Sequence, residues 1–147
     1  MPEVEFCTTD VAEVDAEALE RVKTAARESP KLRARLCLHR SSSDNLHEML
    51  IVLRRGTEIN VHRHPEKAEC AHMVSGLMTV VLYDDAGNER QRVPLGPWGS
   101  GRSVLCRVAA GQWHRWEIES DEVVVHESTL GPFSPSDTEF FSAAGPR

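Results

Sequence analysis

Three histidines and one glutamate carry the strongest chemical signal in this chain. His62 and His64 are one residue apart, Glu69 follows five residues later, and Gly56 and Gly76 bracket the segment. Downstream, Gly111-Gln112-Trp113-His114 supplies another imidazole. Alternate side chains of an extended strand share a face, so His62 and His64 project to one side, about 7 Å apart along the chain. A turn after His64-Pro65 can return Glu69 to that side, and His114 can enter from another strand. Three neutral imidazoles and a carboxylate suit a borderline divalent ion: zinc, iron, manganese, nickel or cobalt. His62, His64, Glu69 and His114 are therefore the expected ligands of one divalent transition metal.

Such a cluster needs strands to hold it, and the chain supplies them. A single amphipathic helix is expected over 15–29: Leu19, Val22 and Ala26 recur at helical spacing, Asp15 can cap its start and Pro30 stops it. After Pro30 the pattern is of short strands, expected at 35–39, 47–54, 58–62, 71–75, 77–83, 89–93, 104–108, 114–118 and 123–128. Turn residues separate them, among them 84–88 (Asp-Asp-Ala-Gly-Asn) and Ala110-Gly111. Many short, evenly spaced strands with glycine turns indicate an all-β sandwich or barrel, with the helix packed outside its wall. Gly56 and Gly76 read as turn makers, not as catalytic residues. The tail beyond Phe133, with Pro135 and Pro146, is expected to wrap over the surface.

Composition narrows the function. At 147 residues the chain suits one domain, and a net charge of −6 argues against a nucleic-acid partner. No apolar run approaches a membrane span, and the acidic start Met1-Pro2-Glu3-Val4-Glu5 is unlike a secretory signal, so a cytoplasmic location is expected. Four scattered cysteines, Cys7, Cys37, Cys70 and Cys106, read as small hydrophobes, not as disulfides.

The segment from Gly56 through Gly76 resembles the first motif of the cupins, and 111–118 resembles the second in part: Ala109 stands where a proline is usual and Ile118 where an asparagine is. The resemblance implies a small jelly-roll β-barrel in which His62, His64, Glu69 and His114 hold one metal. Further residues are similar to the WbuC-type cupin metalloproteins: Ser29-Pro30-x-Leu32-Arg33-x-Arg35 before His39, Leu82-Tyr83-Asp84-Asp85-x-Gly87, and Glu127-x-x-x-Gly131-Pro132-Phe133. That likeness implies a link to bacterial surface-polysaccharide and amino-sugar metabolism. Cys70, where an aromatic is common, and Ser128, where lysine often stands, imply a different substrate for this member. On this reading residues 1–30 are an N-terminal extension of the same domain and 31–147 are the cupin barrel. Cupins often pair through outer strands, so a homodimer is expected by analogy.

Other side chains are candidates for the pocket. Glu127 is the expected acid/base: His126 and Glu127 have opposite strand parity, and a carboxylate facing the metal can move a proton. His39, Arg54 and Trp116 are expected to bind substrate. Arg33 and Arg35 share with Arg54 the ability to grip a carboxylate or phosphate bidentately. His72 has the wrong parity to join Glu69 and should face outward. The leading expectation is a small-molecule enzyme, of isomerase, epimerase, lyase or dioxygenase type, using its metal as a Lewis acid on a sugar or nucleotide-sugar type substrate. The alternative is a non-catalytic, metal-dependent module that binds a small ligand.

Overall fold

The structure, a computed structural model, describes residues 1–142. It has β1 (Val4–Phe6), α1 (Ala16–Glu28), β2 (Arg33–Cys37), β3 (Leu46–Arg54), β4 (His62–Arg63) and β5 (Glu69–Ser75). β6 (Met78–Tyr83), β7 (Glu89–Leu95), β8 (Leu105–Val108), β9 (Trp113–Ile118), β10 (Glu122–Leu130) and β11 (Glu139–Phe140) follow. The strands form two sheets, ordered β1-β2-β3-β10-β5-β8 and β11-β4-β9-β6-β7. This is the all-β fold with one outer helix that the strand spacing implies, in the jelly-roll form that the resemblance implies.

The large sheet separates two apolar layers, and strand parity decides which residue joins which. Met49, Ile51 and Leu53 of β3 and Val123 and Val125 of β10 face inward, meeting Met73, Met78, Val80 and Trp116 in the barrel core. Their neighbours Leu50, Val52 and Val124 face out and pack beneath Val22, Ala25 and Ala26 of α1. Burying each such Val, Leu or Met contributes about 1.5–3 kcal/mol, so slipping β10 by one residue would forfeit both layers. The helix starts as the sequence indicates: Asp15 Oδ1 accepts from the Ala18 N–H at 2.7 Å. It ends before Pro30, with the Ser29 N–H still bonded to the Ala25 carbonyl at 2.9 Å.

Gly76 is the turn that only glycine fits. Its φ is +81°, and a Cβ there would overlap the Glu122 carbonyl and Val123. The turn it makes carries the chain from β5, the strand bearing Glu69, across to β6 in the other sheet.

Three details depart from expectation. Residues 58–61 form no ladder: β4 is two residues long, and its only register partner on β9 is His62 with His114. The preceding segment diverges from β9 and leaves a groove of about 470 Å³ between 56–60 and 115–118. β1 and β11 were not apparent in the pattern, each being only two or three residues long. The tail does more than cover surface, because β11 pairs with β4 beside the histidines; Pro146 lies outside the described residues. All four cysteines are free, and Cys37 is buried.

Candidate metal centre

His62, His64, Glu69 and His114 converge, with one nitrogen or oxygen from each lying within 4.8 Å of all the others. Three strands and one connection supply them. β4 carries His62 at its first position, and His64 follows its end. β5 opens with Glu69, and β9 brings His114 directly across from His62. Glu69 and His114 are both buried. Their ring centroids lie 4.4 Å apart for His62 and His114, 5.2 Å for His62 and His64, and 5.9 Å for His64 and His114.

Each imidazole is oriented by a backbone carbonyl at the nitrogen facing away from the cluster. His62 Nδ1 lies 2.8 Å from the Asn60 carbonyl, His64 Nδ1 3.0 Å from that of Asp137, and His114 Nδ1 2.9 Å from that of Gln112. A carbonyl only accepts, so all three Nδ1 atoms carry protons and a neutral ring then directs a bare Nε2 lone pair inward. Two of those Nε2 atoms meet Glu69: His114 at 2.7 Å from Oε1 and His64 at 3.1 Å from Oε2. A bare Nε2 and a carboxylate oxygen are both acceptors, so each of these contacts calls for a proton or a cation between the two atoms. Donors about 2.1 Å from a shared metal stand roughly 3.0–3.4 Å apart when adjacent, close to the 2.7 and 3.1 Å of these two contacts. The residues present therefore fit a divalent metal.

The electrostatics favour the ligating protonation states at Glu69 and His62, and the protonated ring at His64. Burial pushes Glu69 upward, but hydrogen bonds from His114 and His64 outweigh it and hold the carboxyl far below its ordinary range. Burial, reinforced by His114, lowers the pKa of His62 and favours the neutral ring. His64 is raised, chiefly by its hydrogen bond to Glu69.

Around the cluster, Glu127 lies on the inward face of β10 with Val123 and Val125, opposite Met49 on β3 and Ala71 on β5. Burial pushes its pKa up to about 7, and the Glu69 carboxylate adds to the rise. Trp116, one inward position after His114, joins the barrel core and also lines the groove. Its Nε1 is buried without a hydrogen-bond partner. His39 is buried with Nδ1 at 3.1 Å from the Glu48 carbonyl and its ring stacked on His47 at 4.0 Å, and it is not one of the four converging residues. Arg54 continues the outward parity of Leu50 and Val52, so the structure sets it on the helix side of the sheet and not with the cluster. His72 is exposed, as its parity requires.

Sequence reasoning missed the carbonyls that orient the rings, above all Asp137. Lys67 Nζ bonds Asp137 Oδ2 at 2.5 Å, and Asp137 Oδ2 accepts the Ser134 N–H at 2.7 Å. Thr138 Oγ1 also reaches His64 Nδ1 at 3.3 Å. The pairing of β4 with β11 holds this turn against the ligand strand.

A two-sheet jelly roll with these four donors at its inner wall is the architecture of the cupins, and its site fits metal binding. The chain belongs to the family described as Domain of unknown function (DUF6016), whose model matches residues 14–95. Among solved structures, protein SO0799 from Shewanella oneidensis superposes with a TM-score of 0.61 at 17% identity, over 88% of this chain and 86% of that one. CapF, a capsular polysaccharide assembling protein from Staphylococcus aureus, gives 0.56 at 18% identity, over 75% and 29%. Oxalate decarboxylase from Bacillus subtilis gives 0.54 at 21% identity, over 74% and 27%. This chain thus spans little more than a quarter of the last two. These likenesses establish the cupin fold. No curated protein matches the sequence. Among the described residues no helix is long and apolar enough to cross a membrane.

Proposed function

We propose that this chain is a metal-dependent cupin enzyme of WbuC type, acting on a small sugar or nucleotide-sugar type substrate of polysaccharide-related metabolism. Its metal ligands are His62, His64, Glu69 and His114. What carries the reading is the conjunction of four pre-oriented donors with Glu127, a carboxyl inside the same barrel that has no hydrogen-bond or ion-pair partner among the described residues. When bound, a divalent metal supplies Lewis acidity toward a carbonyl or hydroxyl oxygen. Glu127 supplies the proton transfer: in the metal-free barrel burial and the Glu69 carboxylate raise its pKa to about 7, and a bound dication draws it back toward the ionised form, the state of a general base. Trp116 offers an apolar face and an unused N–H to a sugar ring. Isomerisation, epimerisation, lyase and dioxygenase chemistry all use such a set. The name of CapF adds support for the polysaccharide setting. A binding module would have no use for a partnerless acid beside its ligand, which favours the enzyme. The reading takes residues 1–30 and 31–147 as one domain of a cytoplasmic homodimer, by analogy.

The test is elemental analysis of protein purified without a histidine tag, expected to give about one divalent metal per chain. A screen of sugars, sugar acids and nucleotide sugars on the loaded protein should then yield turnover. Glu127→Gln should abolish that turnover with its metal content unchanged. Protein that refuses added metal refutes the centre, and saturable binding without product refutes the enzyme.

A further inference from the structure

We infer that the ligand served by this centre is a carboxylic acid, and that Arg35 holds its carboxylate inside the barrel beside Glu127. The inference rests on reading the four-residue cluster as a metal centre and adds the substrate class to it.

Arg35 lies on β2 between Ala34 and Leu36, both of which pack under the helix, so it shares the inward face with Cys37 of the barrel core. Its Nη1 lies 3.8 Å from Met49 Sδ. Met49 is paired with Cys37 on β2 and with Glu127 on β10. The guanidinium thus stands one strand away from Glu127. Four arginines on or beside the small sheet end on acids: Arg63 on Glu139, Arg92 on Glu117 and Glu89, Arg102 on Glu119 and Arg115 on Glu117. Arg35 meets no carboxylate within ion-pair distance among the described residues, and a thioether sulfur is a poor acceptor for five N–H donors. A guanidinium held in a barrel without an anion is costly, and a bidentate carboxylate offsets that cost.

The surroundings favour a carboxylate over a phosphate. Glu127 contributes a negative field at the same place, which penalises a dianion more than a monoanion, whereas a planar carboxylate matches the guanidinium fork. Spacing bounds the ligand. β3 and β5 flank β10 and so lie about 10 Å apart. Subtracting a contact at each end leaves roughly 5 Å for the ligand's skeleton, the distance between the carboxylate and a far hydroxyl of a sugar acid.

Cobalt(II)-loaded protein gives a direct test, because its visible absorption reports ligands reaching the centre. Glutarate should perturb the band about 10–100 times more tightly than its monoamide, glutaramate, the ratio expected of one charge-assisted bidentate contact. Arg35→Gln should erase that ratio, and Arg35→Lys should restore part of it. Equal affinities for the two probes in the wild-type protein overturn the inference whether or not the variants fold. Equal ratios in wild-type and a folded Arg35→Gln protein also overturn it. If cobalt itself fails to bind, the metal centre is refuted, which is a different result from a cobalt centre indifferent to charge at the ligand's far end.

Discussion

Glu127→Gln in the metal-free protein offers a test of the site that requires no knowledge of the substrate. The carboxyl is pushed up to about 7 from an ordinary 4.5 by burial and by Glu69. The folded state therefore binds more protons than the unfolded one between those values, and wild-type stability falls as pH rises through that window. Glutamine is neutral throughout and escapes the loss. At 1.36 kcal/mol per unit, the variant's advantage over wild type should grow by about 2.5 kcal/mol between about pH 5 and pH 8.5. For a chain of this size that is a change of roughly 5–10 °C in the difference between the two melting temperatures. Differential scanning calorimetry of both proteins after chelation measures it, and the pH dependence of groups remote from Glu127 cancels in the comparison. Adding zinc should shrink the gap, since a nearby dication favours the ionised carboxylate. A difference that stays flat with pH would refute the placement of Glu127 in the field of Glu69. A variant that grows less stable at high pH would refute the sign.

Two further outcomes follow from the cluster. Zinc at about a hundred times its dissociation constant should raise wild-type stability by about 2.7 kcal/mol, and His64→Ala should lose most of that gain along with its metal load. An unchanged thermal response to zinc would remove His64 from the ligand set. Lys67→Ala should weaken metal binding by about tenfold, the low end of what removing support from a ligand histidine costs, because Lys67 anchors the turn whose Asp137 carbonyl orients His64. Competition with a chromophoric chelator reads the change, and full affinity in the folded variant would show that the turn stands without its lysine.

Why the sequence reveals the ligands but not their supports follows from what each signal encodes. His62 and His64 declare a shared face through a two-residue period, and His114 declares itself by type behind a turn glycine. The carbonyls of Asn60, Gln112 and Asp137 have no such signature, since every residue carries one and only the fold says which ring it meets. The same division explains 58–61. Its alternation is a sound statement about faces, but a ladder also needs a neighbour at about 4.8 Å, and β9 diverges there. Parity alone left open whether His126 or Glu127 turns inward, because both faces of β10 are apolar: Val124 serves the helix and Val123 and Val125 the barrel. The helix breaks that symmetry. Once α1 covers one face of the large sheet, Glu127 and Arg35 must share the other, while Arg54, chemically identical to Arg35, falls on the helix side. An element remote from the chemistry thus decides which acid and which arginine face the barrel interior, and a one-residue slip of β2 or β10 would turn Arg35 or Glu127 out of it.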